Sequence, residues 1–228
     1  MAGYDTIKII VLDFDNCLIL NEETGEGSEE IKDRAWFDVF SEYEPDVLAP
    51  ILDEEKLKVI GGKGDRKDIV EQILKRFEYS ESEISDEAIR RCDRFNAIIQ
   101  DGIKRINVSP ATRESLAALS IRFPLYINTA TPQGAVLESL RFLDITSFFK
   151  SVYGRPGTKI SNLQDIIIAE SVSPEKILFV DDQQSGYETA KEIGCQFIGI
   201  HTKRNRLWND NPQPFLIINS LSELPKIV

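Results

Sequence analysis

An α/β fold on a doubly wound parallel sheet is the class this sequence predicts, and three observations carry it. Strand-like apolar runs alternate with helical patterns through the second half of the chain. The chain also opens on a nearly unbroken apolar, β-branched run, Ile7-Lys8-Ile9-Ile10-Val11-Leu12-Asp13, the pattern of a strand buried on both faces. Several of these runs end abruptly in carboxylates or hydroxyls, which is where open α/β sheets collect their ligands.

The first run ends in Asp13-Phe14-Asp15-Asn16. Carboxylates at i and i+2 of an extended chain point to one side, so Asp13 and Asp15 arrive together. Asn16 tolerates the left-handed backbone that a sharp exit needs. NEETGEGSEE then reads as a loop, with Ser28 or a neighbour capping a helix whose apolar positions are Ile31, Ala35, Trp36, Val39 and Phe40. Pro45 and Pro50 are expected to break the chain before a short helix from Leu52 to Ile60. After Gly61-Gly62-Lys63-Gly64, Asp65 is the expected N-cap of a helix carrying Ile69, Ile73, Leu74 and Phe77. Ser85 or Asp86 opens a further helix through Ala88 and Ile99, ending near Gly102. No strand pattern occurs from 28 to 102, so this segment reads as an insertion of about four helices.

Ser109-Pro110 starts a helix with proline at its first position. Strands and helices then alternate: a strand over Pro124–Asn128, a helix from Pro132 to Phe142, a short strand over Phe148–Tyr153, and a helix from Ser161 to Ala169 capped by Ser161. Ile177–Val180 is a strand ending in Asp181-Asp182, Tyr187–Ile193 a helix closed by Gly194, and Gln196–Ile200 and Phe215–Ile218 the last strands. The N-terminal strand has nowhere to be buried except this sheet. The expected domains are therefore a core of 1–20 with 107–228, and a helical insertion of 21–106.

Composition narrows the function. The formal charge is −11, with 14 basic and 23 acidic residues inside 19–105, which argues against non-specific nucleic-acid binding and adhesion to anionic membranes. No apolar run reaches the ~20 residues needed to span a bilayer, and no secretion signal opens the chain. Three scattered cysteines (Cys17, Cys92, Cys195) read as reduced thiols of a cytoplasmic protein. With a single histidine, His201, acid–base work falls to carboxylates.

Three strand ends share one edge of a parallel sheet: Asp13-x-Asp15, Asn128-Thr129-Ala130-Thr131, and Asp181-Asp182. The loop Gly154-Arg155-Pro156-Gly157-Thr158-Lys159 lies between the last two. Carboxylates without histidine or thiolate favour a hard cation such as Mg²⁺. A lysine and a hydroxyl beside them suit phosphoryl oxygens, which points to phosphoryl transfer with an aspartate nucleophile.

In order and spacing these segments resemble the haloacid dehalogenase-like superfamily, most of whose members are phosphatases. IIVLDFDNC is similar to its first motif at Asp13 and Asp15, LYINTATP to its second at Thr129, GRPGTK to its third at Lys159, and ILFVDDQQSG to its fourth at Asp181-Asp182. The resemblance covers the chain, because a helical insertion after the first motif is the family's usual cap; the branch it suggests is phosphoglycolate phosphatase-like. It implies that Asp13 attacks phosphorus, that Asp15 is acid and then base, and that Thr129 and Lys159 hold phosphoryl oxygens. It places Mg²⁺ on the Asp13 side chain, the Asp15 backbone carbonyl and Asp182, with Asp181 nearby. Asn128, Ala130, Lys63 and Arg66 are the further substrate-binding candidates. The substrate implied is a small phosphorylated metabolite, and the expected assembly a monomer or homodimer.

Some features depart from the pattern or compete with it. Cys17 stands where the family has Thr or Val, and Gly186 where many members carry another acid. Arg155 competes with Lys159 for the third motif. Asp15 argues against a dehalogenase and against the phosphonate-cleaving branch, for which Lys63 would be the Schiff-base candidate. GGKG at 61–64 lacks the strand and the Ser/Thr of a P-loop. The basic run Lys203-Arg204-Asn205-Arg206 reads as a solvated loop. The competing function classes are a phosphate-accepting receiver domain, which has no place for the insertion, and a binding protein that kept the fold without turnover.

Overall fold

A computed structural model of the chain describes residues 4–21, 24–59, 64–106, 108–205, 208 and 211–228. Six strands form one sheet: β1 (Ile9–Leu12), β2 (Leu125–Pro132), β3 (Ser151–Arg155), β4 (Ile177–Asp181), β5 (Gln196–Ile200) and β6 (Leu216–Ile218). Their spatial order is β3-β2-β1-β4-β5-β6, with every pair parallel. The N-terminal strand thus lies at the centre, with Ile10 opposite Leu125 on one side and Leu178 on the other. Its four residues are at most 1% exposed, which is why the run is apolar without alternation. On one face Ile9 and Val11 pack with Leu163, Ile166, Phe179 and Phe197.

The helices are α1 (Ser28–Val39), α2 (Pro45–Lys58), α3 (Arg66–Arg76), α4 (Glu81–Ile106), α5 (Pro110–Arg122), α6 (Gln133–Phe142), α7 (Lys159–Glu170) and α8 (Gln184–Ile193). The chain divides into two compact units, one of Met1–Glu29 with Ile103–Val228, the other of Glu30–Gly102. The second unit contains no strand among its described residues. Its interior holds Trp36, Phe40, Leu48, Leu52, Ile73, Leu74 and Phe95, and the Trp36 ring sits 4.8 Å from that of Phe95. Arg91 is buried in this unit; it donates to Glu87 Oε1 (2.7 Å), Val39 O (2.5 Å) and Glu42, and lies over the Phe40 ring. No helix among the described residues is long and apolar enough to cross a membrane.

Local signals hold in several places. Asp65 caps α3 in a capping box with Asp68, Ser109 caps α5 ahead of Pro110, and Gly194 closes α8 in the left-handed region. Four expectations are corrected. Pro45 and Pro50 do not break the chain: Pro45 takes the first turn of α2 and Pro50 lies inside it. Burial of Leu48 and Leu52 outweighs the hydrogen bond Pro50 removes. Helix α4 begins at Glu81 and runs past Gly102, whose bare Cα faces Ile31; a Cβ there would meet Ile31 Cγ2 at 2.7 Å. Thr158, not Ser161, caps α7, with Ser161 as the reciprocal partner three residues on. Strand β3 is displaced to Ser151–Arg155, because Thr146–Phe148 forms a short 3₁₀ turn.

Candidate active site

Strands β1, β2 and β4 are neighbours in the sheet, so the residues that follow their last apolar positions converge. Asp13 extends the ladder, donating its N–H to Val180 O at 2.8 Å. Asn16 takes φ 55° and turns the chain away, as its residue type suggests. Cys17 is buried and its Sγ contacts Val180 O at 3.5 Å; burial pushes its thiol well above the ordinary range, which suits a packing role.

Asp13, Asp181 and Asp182 are all buried, and each offers a carboxylate oxygen within 4.8 Å of the others. Lys159, the first residue of α7, reaches into this group. Its Nζ donates to Asp181 Oδ2 at 2.6 Å and is ion-paired with Asp13 Oδ1 at 2.9 Å. Burial opposes the charge on Lys159, yet the Asp13 and Asp181 carboxylates hold it above the usual lysine range. Asp181 Oδ1 also accepts from Gln183 N at 2.9 Å. Asp181 is therefore committed on both oxygens and Asp13 Oδ1 is paired with Lys159, whereas Asp182 Oδ1 is buried with no hydrogen-bond partner.

The electrostatics follow from this imbalance. Burial, opposed by Lys159 and reinforced by Asp181 and Asp15, pushes the Asp13 carboxyl up to about 7. Burial, with Asp13 and Asp181 adding to it, pushes Asp182 up to about 9. Were all three carboxylates ionised they would outnumber the one ammonium by two charges, and the raised Asp13 and Asp182 carboxyls relieve this in the metal-free cluster by holding protons. Hard oxygen donors, a buried Asp182 Oδ1 without a partner, and carboxyls that hold protons where a cation could replace them fit a divalent cation such as Mg²⁺.

Asp15 is held apart from that cluster. Its Oδ1 accepts from Ser28 Oγ at 2.6 Å, and its Oδ2 from Thr131 Oγ1. Thr129 is the last of the five buried residues that open β2, and its Oγ1 accepts from Thr131 N at 3.2 Å. The sequence places Thr131 at the same sheet edge as Asp15, but nothing in it signals that Thr131 and Ser28 together hold that carboxylate. The sequence marks Ser28 as a helix cap, whereas its hydroxyl serves a carboxylate thirteen residues away, which no local pattern signals.

The other sequence candidates fall differently. Ala130 is exposed, where β2 leaves the interior. Asn128 is fully buried, with its amide bound to Lys159 O and to the Asn162 side chain, both in α7. Arg155 is exposed while Lys159 occupies the carboxylate cluster, which separates those two for the third motif. Arg66 belongs to the helical unit, where its guanidinium donates to Asn96 and lies 4.0 Å over the Phe95 ring. Lys63 lies outside the described residues. The space at Gly186 explains the missing acid there: a Cβ would stand 2.2 Å from Asp181 Oδ2.

Comparison with known proteins matches residues 10–200 to the profile of the haloacid dehalogenase-like hydrolases. Among curated relatives, a phosphorylated carbohydrates phosphatase of Thermotoga maritima is 35% identical over 98 residues, 40% of this chain and 44% of that protein. A phosphoglycolate phosphatase of Escherichia coli K12 is 30% identical over 124 residues, 50% of this chain and 48% of that protein. The chain spans about half the length of the curated relatives it matches. A solved structure described as a predicted phosphoglycolate phosphatase of Haemophilus somnus 129PT superposes with a TM-score of 0.69 at 22% identity, over 99% of both chains. At that identity the likeness speaks for the fold alone.

Proposed function

Because the chain belongs to the haloacid dehalogenase-like hydrolases, we propose that it is a Mg²⁺-dependent phosphatase of a small phosphomonoester, acting through an aspartyl-phosphate on Asp13. One observation carries the reading: Asp13 stands beside Lys159, Asp181 and Asp182 at the ends of adjacent parallel strands, in a buried cluster of three carboxyls and one ammonium.

Asp13 and Asp182 would hold the metal, Asp182 through an oxygen that lacks a donor, with the Asp15 backbone carbonyl beside them. Bound there, Mg²⁺ would offset the carboxylate charge and polarise a phosphoryl oxygen. Lys159 Nζ and the Thr129 hydroxyl neutralise and orient the non-bridging oxygens, while Asp181 keeps Lys159 extended. The Asp13 carboxylate attacks phosphorus, and the bond to the ester oxygen breaks as Asp15 gives that oxygen a proton. Asp15, now ionised, takes a proton from water as it attacks phosphorus, releasing phosphate and restoring Asp13.

The names of the curated relatives make phosphorylated carbohydrates and phosphoglycolate the first esters to try, alongside nucleoside monophosphates. Free Cys17, Cys92 and Cys195 suit work in the cytoplasm, as a monomer or homodimer. The helical unit is proposed as the part that selects the substrate, with Lys63 and Arg66 as its substrate-binding candidates. Hydrolysis of p-nitrophenyl phosphate with and without Mg²⁺ tests the class, with Asp13→Asn as control. Turnover that needs the metal and vanishes in the variant is expected; turnover surviving Asp13→Asn overturns the nucleophile.

A further inference from the structure

The buried amides of Asn128 and Asn162 form a bridge that the proposed chemistry does not use. Asn128 Nδ2 donates to Lys159 O at 2.9 Å, and Asn162 Nδ2 donates to Asn128 Oδ1 at 2.9 Å. Both residues are essentially shut from water, at 0% and 4% exposure. Asn128 immediately precedes Thr129 on β2, while Asn162 lies in the first turn of α7 with its N–H bonded to Thr158 O at 2.9 Å. The loop closes tightly around Asn162, since a Cβ on Gly157 would stand 2.1 Å from Asn162 Oδ1. Burying two primary amides in the heart of a domain is costly unless they bond to each other and to the backbone, as here.

We propose that the Asn128–Asn162 pair is a positioning device that fixes Lys159 relative to Thr129, so that ammonium and hydroxyl are pre-set for the same phosphoryl group. The inference rests on the phosphatase reading above. Lys159 sits at the N-terminus of α7, and its side chain has to span the distance to Asp13 and Asp181. A helix end held only by its own cap could shift along the sheet edge by a fraction of an ångström. The amide bridge ties the lysine's own carbonyl to the residue beside Thr129, which removes that freedom. Such placement lowers the barrier without adding any contact to the substrate.

A double-mutant cycle tests the role. Asn128→Leu, Lys159→Met and the two combined are compared for kcat and KM on p-nitrophenyl phosphate with Mg²⁺, alongside melting temperatures. Asn128→Leu is expected to lower kcat about ten- to a hundredfold with KM moved less than about threefold, and to cost under about twofold when Lys159→Met is already present. The paired variant Asn128→Leu with Asn162→Leu replaces both amides by apolar groups, leaving neither orphaned; its melting temperature is expected to recover while kcat does not. An equal cost in both lysine backgrounds, or recovery of kcat with stability in the paired variant, overturns the positioning role and leaves the phosphatase reading standing. Wild-type kcat in Lys159→Met overturns both.

Discussion

Gly186 and Asp181 share one volume: the carboxylate of Asp181 fills the space in which a side chain at 186 would begin, with a Cβ only 2.2 Å from Oδ2. Asp181 cannot yield easily, because Lys159 and the Gln183 N–H hold its two oxygens. Gly186→Ala in α8 sets two effects against each other. Helix propensity favours alanine by ~1 kcal/mol, whereas forcing a methyl into this packed site costs about 1–3 kcal/mol. The steric effect is expected to win, with a lower melting temperature and at least about tenfold lower kcat. A stabilised Gly186→Ala with normal turnover would show that Asp181 is free to move.

Metal dependence should carry a pH signature. In the folded, metal-free protein Asp13 is raised to about 7 and Asp182 to about 9, against 3.8 for an unperturbed aspartate. The folded state therefore keeps protons that the unfolded state gives up. Its stability is greatest below the unfolded pKa, falls as pH rises, and levels off above the folded values. Mg²⁺ competes with those protons, so its stabilisation should grow between about pH 5 and 9. Melting curves in EDTA and in Mg²⁺ across that range check the sign; a metal increment that shrinks with rising pH would contradict it.

Ser28→Ala removes the 2.6 Å donor to Asp15 Oδ1. If Asp15 protonates the leaving oxygen, an alkyl phosphate should lose about tenfold in kcat, and p-nitrophenyl phosphate much less, because a nitrophenolate leaves without a proton. Equal losses on both esters would assign Ser28 to folding alone. Ser28→Thr keeps the hydroxyl and should restore the alkyl ester.

The helical unit has its own test at Arg91, whose planar fork serves Glu87, Val39 O and Glu42 together. Arg91→Met strands a buried carbonyl and a partly buried carboxylate, and is expected to cost about 3 kcal/mol. Arg91→Lys should not rescue it, since a point charge cannot address three directions. Denaturant midpoints of the three proteins decide; a lysine variant as stable as the parent would refute the fork.

Much of this molecule was legible because its information is local. Ile7–Asp13 announces both a buried strand and the carboxylate that ends it, and Ile177–Asp182 does the same for β4. Asp65 and Ser109 announce helix starts for reasons confined to one turn. Reading failed where a distant partner overrode the local sign. Pro50 and Gly102 punctuate a sequence, but the burial of Leu52 and the approach of Ile31 carry their helices through. Ser28 looks like a cap until Asp15 is placed beside it, and no local pattern signals the bond between Asn128 and Asn162. Gly186 was visible only as a missing acid, since its cause lies in the pose of another side chain.

The central place of β1 has a consequence for the order in which the chain can be made. Its four buried residues wait for partners at Leu125 and Leu178, which leave the ribosome only after the whole helical unit has emerged. Helices α2 and α3, built from near neighbours in sequence, can settle early, while the sticky first strand remains unpaired and exposed to other nascent chains. Slowing synthesis across residues 30–102 would lengthen that exposure. Holdase chaperones should therefore engage this protein at β1, for as long as β2 has yet to appear.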